Sequence, residues 1–429
     1  MKKFNWRLAF LIGLSGVIGN TIWVIFNNYV PILLQTGHPL WEGVAGESTA
    51  VVGFALAPTM AYFIMTWDNI IHMFLTPWAG ARSDKTWTRF GRRLPWVMVG
   101  VPIAVIGFIL VPYVTSLVAI ILAIMLTNIG TGIYRAPIRA WMGDFFEPAD
   151  RTKAEVPVHV VGGVTSIIAA LIGGYLFDQG YISAPFLIAS GFTLLGGIAL
   201  AIWLKEDKEL QIGDDTTGER GATIFETLGQ MRLPKNRSVL YAFLGTFLFH
   251  MGSAAYQAGV SGFAVFDIGM GAGRVGQFVA IAGILYIILA FPSGLLANRV
   301  GPRRIMMLGM LIYGLAHLWV LFFVNTEQGL LIGILISGIA WSMVFLNSLP
   351  LFMNTDTGKN FGVFAGIYYL AFQAASIVGP LLSGALVQGS GSQRAMWIVS
   401  SGGMLLAFFA LMRVSDRDFA DVEAVLASD

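Results

Sequence analysis

The sequence predicts an all-α integral membrane protein whose twelve transmembrane helices form two pseudo-symmetric bundles of six. Three observations predict it. Of 429 residues, 56% are hydrophobic and only 12% are charged, against roughly 25% charged in soluble proteins. A soluble chain of this length needs far more charge to cover its surface. Hydropathy also resolves into repeated runs of about 20 apolar residues, the length an α-helix needs to cross a hydrocarbon core of about 30 Å. Finally, the longest polar stretch, 205–236, divides these runs six and six. The composition excludes a disordered chain and an ordinary cytosolic enzyme, and a net charge of +2 gives no basic surface for nucleic acid. With no cysteine, the chain has no disulfide, thiolate metal site or cysteine nucleophile.

The runs place spans at 8–33, 53–79, 96–113, 116–141, 156–178, 184–204, 237–262, 275–298, 304–324, 328–352, 362–388 and 395–413. Backbone polar groups must bond to one another in lipid, so each run reads as a helix. Turns near Pro112 and at Asn325-Thr326-Glu327 each split one long run in two. The start, Met1-Lys2-Lys3 and an apolar run, has the look of a signal peptide. The run is too long for one, lacks a small-residue cleavage site, and is interrupted by Asn20, Asn27 and Asn28. The expected organisation is a first bundle at 1–204, a linker at 205–236 with an interfacial helix near Ile224–Met231, a second bundle at 237–413 and a tail at 414–429. Basic residues set the orientation. With both termini cytoplasmic, 22 of the 26 Lys and Arg fall on the inner side, and the outer loops hold only Arg274 and Arg394.

The two halves read as a duplication. Ser166-Ile167-Ile168, Leu171-Ile172, Gly174 and Leu176 recur 210 residues later as Ser376-Ile377-Val378, Leu381-Leu382, Gly384 and Leu386. Gly80 through Asp84, followed by Gly91-Arg92-Arg93, has its counterpart in Gly294 through Asn298, followed by Gly301-Pro302-Arg303-Arg304.

Two segments carry a family resemblance. Pro77-x-x-Gly80-x-x-Ser83-Asp84-Lys85-Thr86-Trp87-Thr88-Arg89-Phe90-Gly91-Arg92-Arg93-x-Pro95 resembles the signature loop of the major facilitator superfamily. In its longer form it resembles the glycoside–pentoside–hexuronide cation symporters, most of all their sucrose/proton branch. Arg139-Ala140-x-x-x-Asp144 resembles a second segment of the same relatives. The resemblance implies the major facilitator fold, alternating-access transport of a sugar or glycoside, no cofactor, and a gating role for Gly80, Asp84, Arg89, Gly91, Arg92 and Arg93. In the sodium-using branch a carboxylate directly precedes the span-2 proline and another lies one turn earlier. Here those positions hold Thr76 and His72, so a proton is the expected coupling ion rather than sodium.

The polar residues within spans are few, and each is expensive in lipid, about 2.5–3.5 kcal/mol for a charged group on insertion scales. Asp68 and His72, at i and i+4, share one face of span 2 and could share a proton. Arg135 in span 4 is the expected countercharge, with Arg139 and Asp144 completing the coupling group. For the solute, sugar hydroxyls call for amides and hydroxyls, and sugar C–H faces for aromatic rings. Span 1 offers Asn20, Trp23 and Asn27. Span 7 offers His250, Ser253, Tyr256 and Gln257. Span 11 offers Tyr369 and Gln373, and span 10 offers Trp341. Each stripe is equally what helix–helix hydrogen bonding would leave.

The reading is a proton-coupled sugar importer of a prokaryotic inner membrane, monomeric, with the lipid bilayer as its surroundings. Export of an amphipathic drug or lipid on the same fold is the competing reading. An integral-membrane enzyme would need a clustered nucleophile or metal set, whereas His38, His72, His159, His250 and His317 are scattered along the chain.

Overall fold

The computed structural model describes residues 4–41, 53–206, 237–353 and 361–414. The proposed interfacial helix near Ile224–Met231 and the tail beyond 414 lie outside the described residues. Within them the chain is helical throughout: α1 (Trp6–Gln35), α2 (Pro58–Met65), α3 (Trp67–Lys85), α4 (Leu94–Leu110), α5 (Leu117–Phe145), α6 (Pro148–Asp178), α7 (Ala184–Trp203), α8 (Arg237–Gly262), α9 (Ala272–Val300), α10 (Pro302–Phe323), α11 (Glu327–Met353), α12 (Phe361–Ser390) and α13 (Met396–Met412). Nine helical segments among the described residues are long and apolar enough to cross a bilayer.

Local chemistry sets the helix ends. The Asn5 side chain accepts the Leu8 N–H at 3.1 Å and starts α1, and Ser116 starts α5 in the same way through Ala119. Pro58 opens α2 where a missing N–H costs nothing. The second span differs from the continuous helix expected at 53–79. It begins at Pro58 and breaks at Thr66 into α2 and α3, so that Asp68 lies in the first turn of a new helix. The seventh span also runs further than expected, through a wide π turn at Phe263–Asp267. There the Asp267 carboxylate accepts the N–H groups of Gln393 and Arg394 at 3.0 and 2.9 Å.

The chain divides into two compact units. One comprises Met1–Ala57, Ile64–Thr217 and Gly269–Ala280; the other comprises Pro58–Phe63, Gly218–Ile268 and Ile281–Asp429. In the first, α1 packs on α6 and α7, and α4 packs on α5 and α7. In the second, α8 packs on α12 and α13, and α10 packs on α11 and α13. These are the same pairings shifted by six spans. Small residues let the backbones approach, as lipid-embedded helices require. A Cβ on Gly16 would lie 2.0 Å from the Val158 carbonyl oxygen, and one on Gly379 would lie 2.3 Å from that of Met251. Faces turned away from these contacts carry large apolar side chains, among them Leu195 and Ile198 on α7.

Candidate functional site

The break at Thr66 sets a polar group in the first unit. Asp68 is half-buried and accepts the Asn69 side-chain amide at 2.7 Å. One turn on, His72 is buried between α3 and α5. Its Nδ1 lies 2.8 Å from Arg135 Nη1, and its Nε2 lies 3.1 Å from the Asn128 carbonyl oxygen and 3.0 Å from Thr131 Oγ. A guanidinium only donates, so Nδ1 must accept; a carbonyl only accepts, so Nε2 carries the hydrogen. His72 is thus a neutral imidazole with both nitrogens engaged on α5. The expected sharing of a proton between Asp68 and His72 is not the arrangement found: His72 holds Arg135 instead. The charge of Arg135 acts on both Asp68 and His72. The Trp23 ring meets the His72 ring edge-on, centroids 5.7 Å apart, which brings the span-1 stripe to the same place. Asn20, Trp23 and Asn27 are all half-buried.

Two residues expected in the coupling group lie elsewhere. Arg139 is exposed, and its charge acts on His159. Asp144 is buried at the far end of α5, where its carboxylate accepts Arg93 Nε at 2.9 Å. It belongs to the loop between α3 and α4. That loop is an ordered network. Arg93, only 4% exposed, also donates to Ser83 Oγ at 2.6 Å and pairs with Asp84. Arg92 reaches Asp84 at 3.1 Å. Burial alone would lower the Arg93 pKa, but the bonds and charges of Asp144 and Asp84 outweigh it and hold it above the ordinary arginine value. The partners of Asp84 in this network, Arg92 and Arg93, both lie on the loop that follows it. Arg89 is exposed and stacks on Phe90. Gly80 lets α3 approach Ala136 of α5.

One member of this network was not foreseen. Glu206, 6% exposed, takes the main-chain N–H groups of Arg92, Arg93 and Leu94 together with Trp141 Nε1, three of these at 2.7–2.8 Å. Its carboxylate thereby occupies the N-terminus of α4, where a negative charge is favoured. Gly91 makes this possible. Its φ is +108°, and a Cβ there would lie 2.4 Å from that of Glu206.

In the second unit, His250 Nε2 lies 3.2 Å from Tyr368 OH, which lies 2.8 Å from Ser348 Oγ. Gln257 is exposed and donates to Ser253 Oγ at 3.0 Å. Tyr369 is exposed, Gln373 is half-buried, and Trp341 stacks on Phe345 with centroids 5.3 Å apart. Tyr256, expected to meet solute, instead packs among Tyr313, His317 and Trp397. His317 was read only as one of the scattered histidines. It is wholly buried, with Ser400 Oγ 2.7 Å from one nitrogen and Ser337 Oγ 2.8 Å from the other.

Two helical units of repeated packing, with ionisable groups held inside the apolar region of one and amide, hydroxyl and aromatic groups in the other, define a polytopic carrier. The family model described as the Major Facilitator Superfamily matches residues 8–273 and 242–424, and the chain belongs to that family. It is a multi-pass secondary transporter of a small-molecule substrate; members of the family are in general carriers rather than enzymes. The chain is 24% identical over 357 residues to the class B tetracycline resistance protein of Escherichia coli, covering 82% of this chain and 84% of that protein. In fold it is similar to the crystal structure of the nucleoside transporter NupG, with a TM-score of 0.68, 15% identity, and coverage of 96% and 99% of the two chains. It is similarly close to a POT peptide transporter in complex with alafosfalin, with a TM-score of 0.72, 12% identity, and coverage of 96% and 95%.

Proposed function

We propose that the chain is a proton-coupled symporter of a sugar or glycoside, a di- or oligosaccharide, working by alternating access in a cell inner membrane with both termini cytoplasmic. The observation that carries the coupling half of the reading is the Arg135–His72 hydrogen bond beside Asp68. A neutral His72 that accepts from Arg135 fixes the guanidinium and leaves Asp68 as the group that changes charge. Ionised, Asp68 has Arg135 as its countercharge; protonated, it releases that attraction, and the relative stability of the two conformations changes with it. Only a differential interaction of this kind can shift such an equilibrium. The solute half rests on Asn20, Trp23 and Asn27 in one unit and on His250, Gln257, Tyr369, Gln373 and Trp341 in the other, together with the resemblance of the Pro77–Pro95 segment to sugar symporters.

A second reading has an observation of its own. The similarity to a tetracycline resistance protein over most of both chains favours export of an amphipathic drug or lipid. One experiment separates the two. Purified protein in proteoliposomes is given an inward proton gradient and a panel of labelled sugars and amphipathic drugs. Symport predicts sugar accumulation and faster alkalinisation outside when sugar is added. If drugs alone move, and move against the proton flow, the sugar reading fails.

A further inference from the structure

The last turn of α3 and the loop that joins it to α4 carry five cations, and they divide into two sets. Arg92 and Arg93 are paired with Asp84 and Asp144. Arg82, Lys85 and Arg89 are exposed, and among the described residues none of them meets a carboxylate. Unneutralised charge of one sign at a membrane boundary calls for a partner of the other.

What lies beside these cations says what that partner is. A groove of about 510 Å³ runs along α3, lined by Ile70, Ile71, Phe74, Leu75 and Trp78. Phe74 is 72% exposed and Trp78 is 50% exposed, so the groove is open. Ile71, Phe74, Trp78, Arg82 and Lys85 follow one another at steps of three and four residues, which is a single helical stripe. The stripe is apolar for two turns and basic for the next. The Arg82 guanidinium sits 5.9 Å above the Trp78 ring, at the rim where the groove meets the charge. From Ile71 to Arg82 the helix rises about 16 Å, close to the depth of one leaflet's hydrocarbon, about half of 30 Å.

We propose that this groove binds an anionic phospholipid of the leaflet in which the Gly80–Arg93 loop sits. An acyl chain lies against Ile71, Phe74 and Trp78, and the phosphate lies among Arg82, Lys85 and Arg89. A zwitterionic lipid would fill the groove equally well but would leave the three cations unneutralised, so headgroup charge is the discriminating feature. Binding here is independent of which solute the carrier moves and of which ion drives it.

The test uses the full-length protein in nanodiscs containing a trace of photoactivatable phosphatidylglycerol or phosphatidylcholine, each with a diazirine on its acyl chain. Cross-linked peptides are mapped by mass spectrometry. The phosphatidylglycerol probe should label the 70–78 segment on the order of a hundredfold more than the phosphatidylcholine probe, about fivefold for each of the three cations. Arg82→Gln, Lys85→Gln and Arg89→Gln should each reduce that preference, by about fivefold for a cation near an anionic surface. Labelling of the exposed α7 face at Leu195 and Ile198 should show no headgroup preference and should not change in the variants, which also verifies that they remain folded. Equal labelling of 70–78 by the two probes would overturn the proposal. So would a preference that survives removal of all three cations.

Discussion

Replacing Glu206 with Gln tests the architecture of the loop between α3 and α4 at its least predictable point. The carboxylate receives four N–H donors, three of them consecutive main-chain groups at the start of α4. An amide of the same size keeps one acceptor oxygen and turns an NH2 toward the remaining donors. Glu206→Gln therefore loses about two charge-assisted bonds and leaves buried N–H groups unpaired. Such bonds contribute roughly 1.5–3 kcal/mol each, so the local loss is about 2–4 kcal/mol after relaxation. Hydrogen–deuterium exchange on a peptide spanning 86–98 reads this directly, because the amides of Arg92, Arg93 and Leu94 exchange only when the clamp opens. A loss of about 2 kcal/mol predicts exchange roughly 30-fold faster. Peptides from α10 and α11, in the other unit, should be unaffected. Unchanged protection at 92–94 in the Gln variant would refute the clamp.

Further outcomes follow from the same geometry. Gly91→Ala should destabilise the loop by more than about 1–2 kcal/mol, the cost of a left-handed backbone for an L-residue, because its Cβ also collides with Glu206; a thermal melt in detergent measures it, and a neutral result would mean the loop relaxes freely. Asp144→Asn should cost roughly 3 kcal/mol because it removes the buried partner of Arg93 and leaves that charge only the half-exposed Asp84. Asp84→Asn, on a side chain 51% exposed, should cost under about 1 kcal/mol, and paired melts that reverse this order would contradict the assignment. Trp23→Ala and Gln257→Ala should each weaken solute binding without loss of protein from the membrane; wild-type affinity in both would make these stripes helix-packing contacts.

The parts of this structure legible in the sequence are those set by local rules. Hydrophobic run length gives the helices, small residues mark where they approach, and a repeat at a fixed offset foreshadows matching helix pairs in the two units. What was not legible depends on how a helix is rotated or where the chain returns. The spacing of His250, Ser253, Tyr256 and Gln257 says which of them share a face, yet the rotation of α8 puts Tyr256 among core rings and leaves Gln257 exposed. Asp144 entered the expected coupling group with the Arg139-Ala140-x-x-x-Asp144 segment; its place in the last turn of α5 sets it against Arg93 of the loop instead. Glu206 is one of three carboxylates in the charged run Lys205-Glu206-Asp207-Lys208-Glu209 after a span, and nothing near it in sequence announces the N–H groups of Arg92 to Leu94 waiting more than a hundred residues upstream. The break at Thr66 is nearly as quiet: Asp68 falls in the first turn of the helix that follows it, but no proline or glycine between Ala61 and Leu75 marks the interruption.

The central claim, that Asp68 couples proton movement to solute movement, is tested most directly by Asp68→Asn in proteoliposomes loaded with the transported sugar. The account predicts that the variant exchanges labelled for unlabelled sugar across the membrane as wild type does, yet fails to concentrate sugar under an imposed pH gradient. Undiminished pH-driven accumulation in Asp68→Asn, or accumulation in wild type driven by sodium at constant pH, would contradict it.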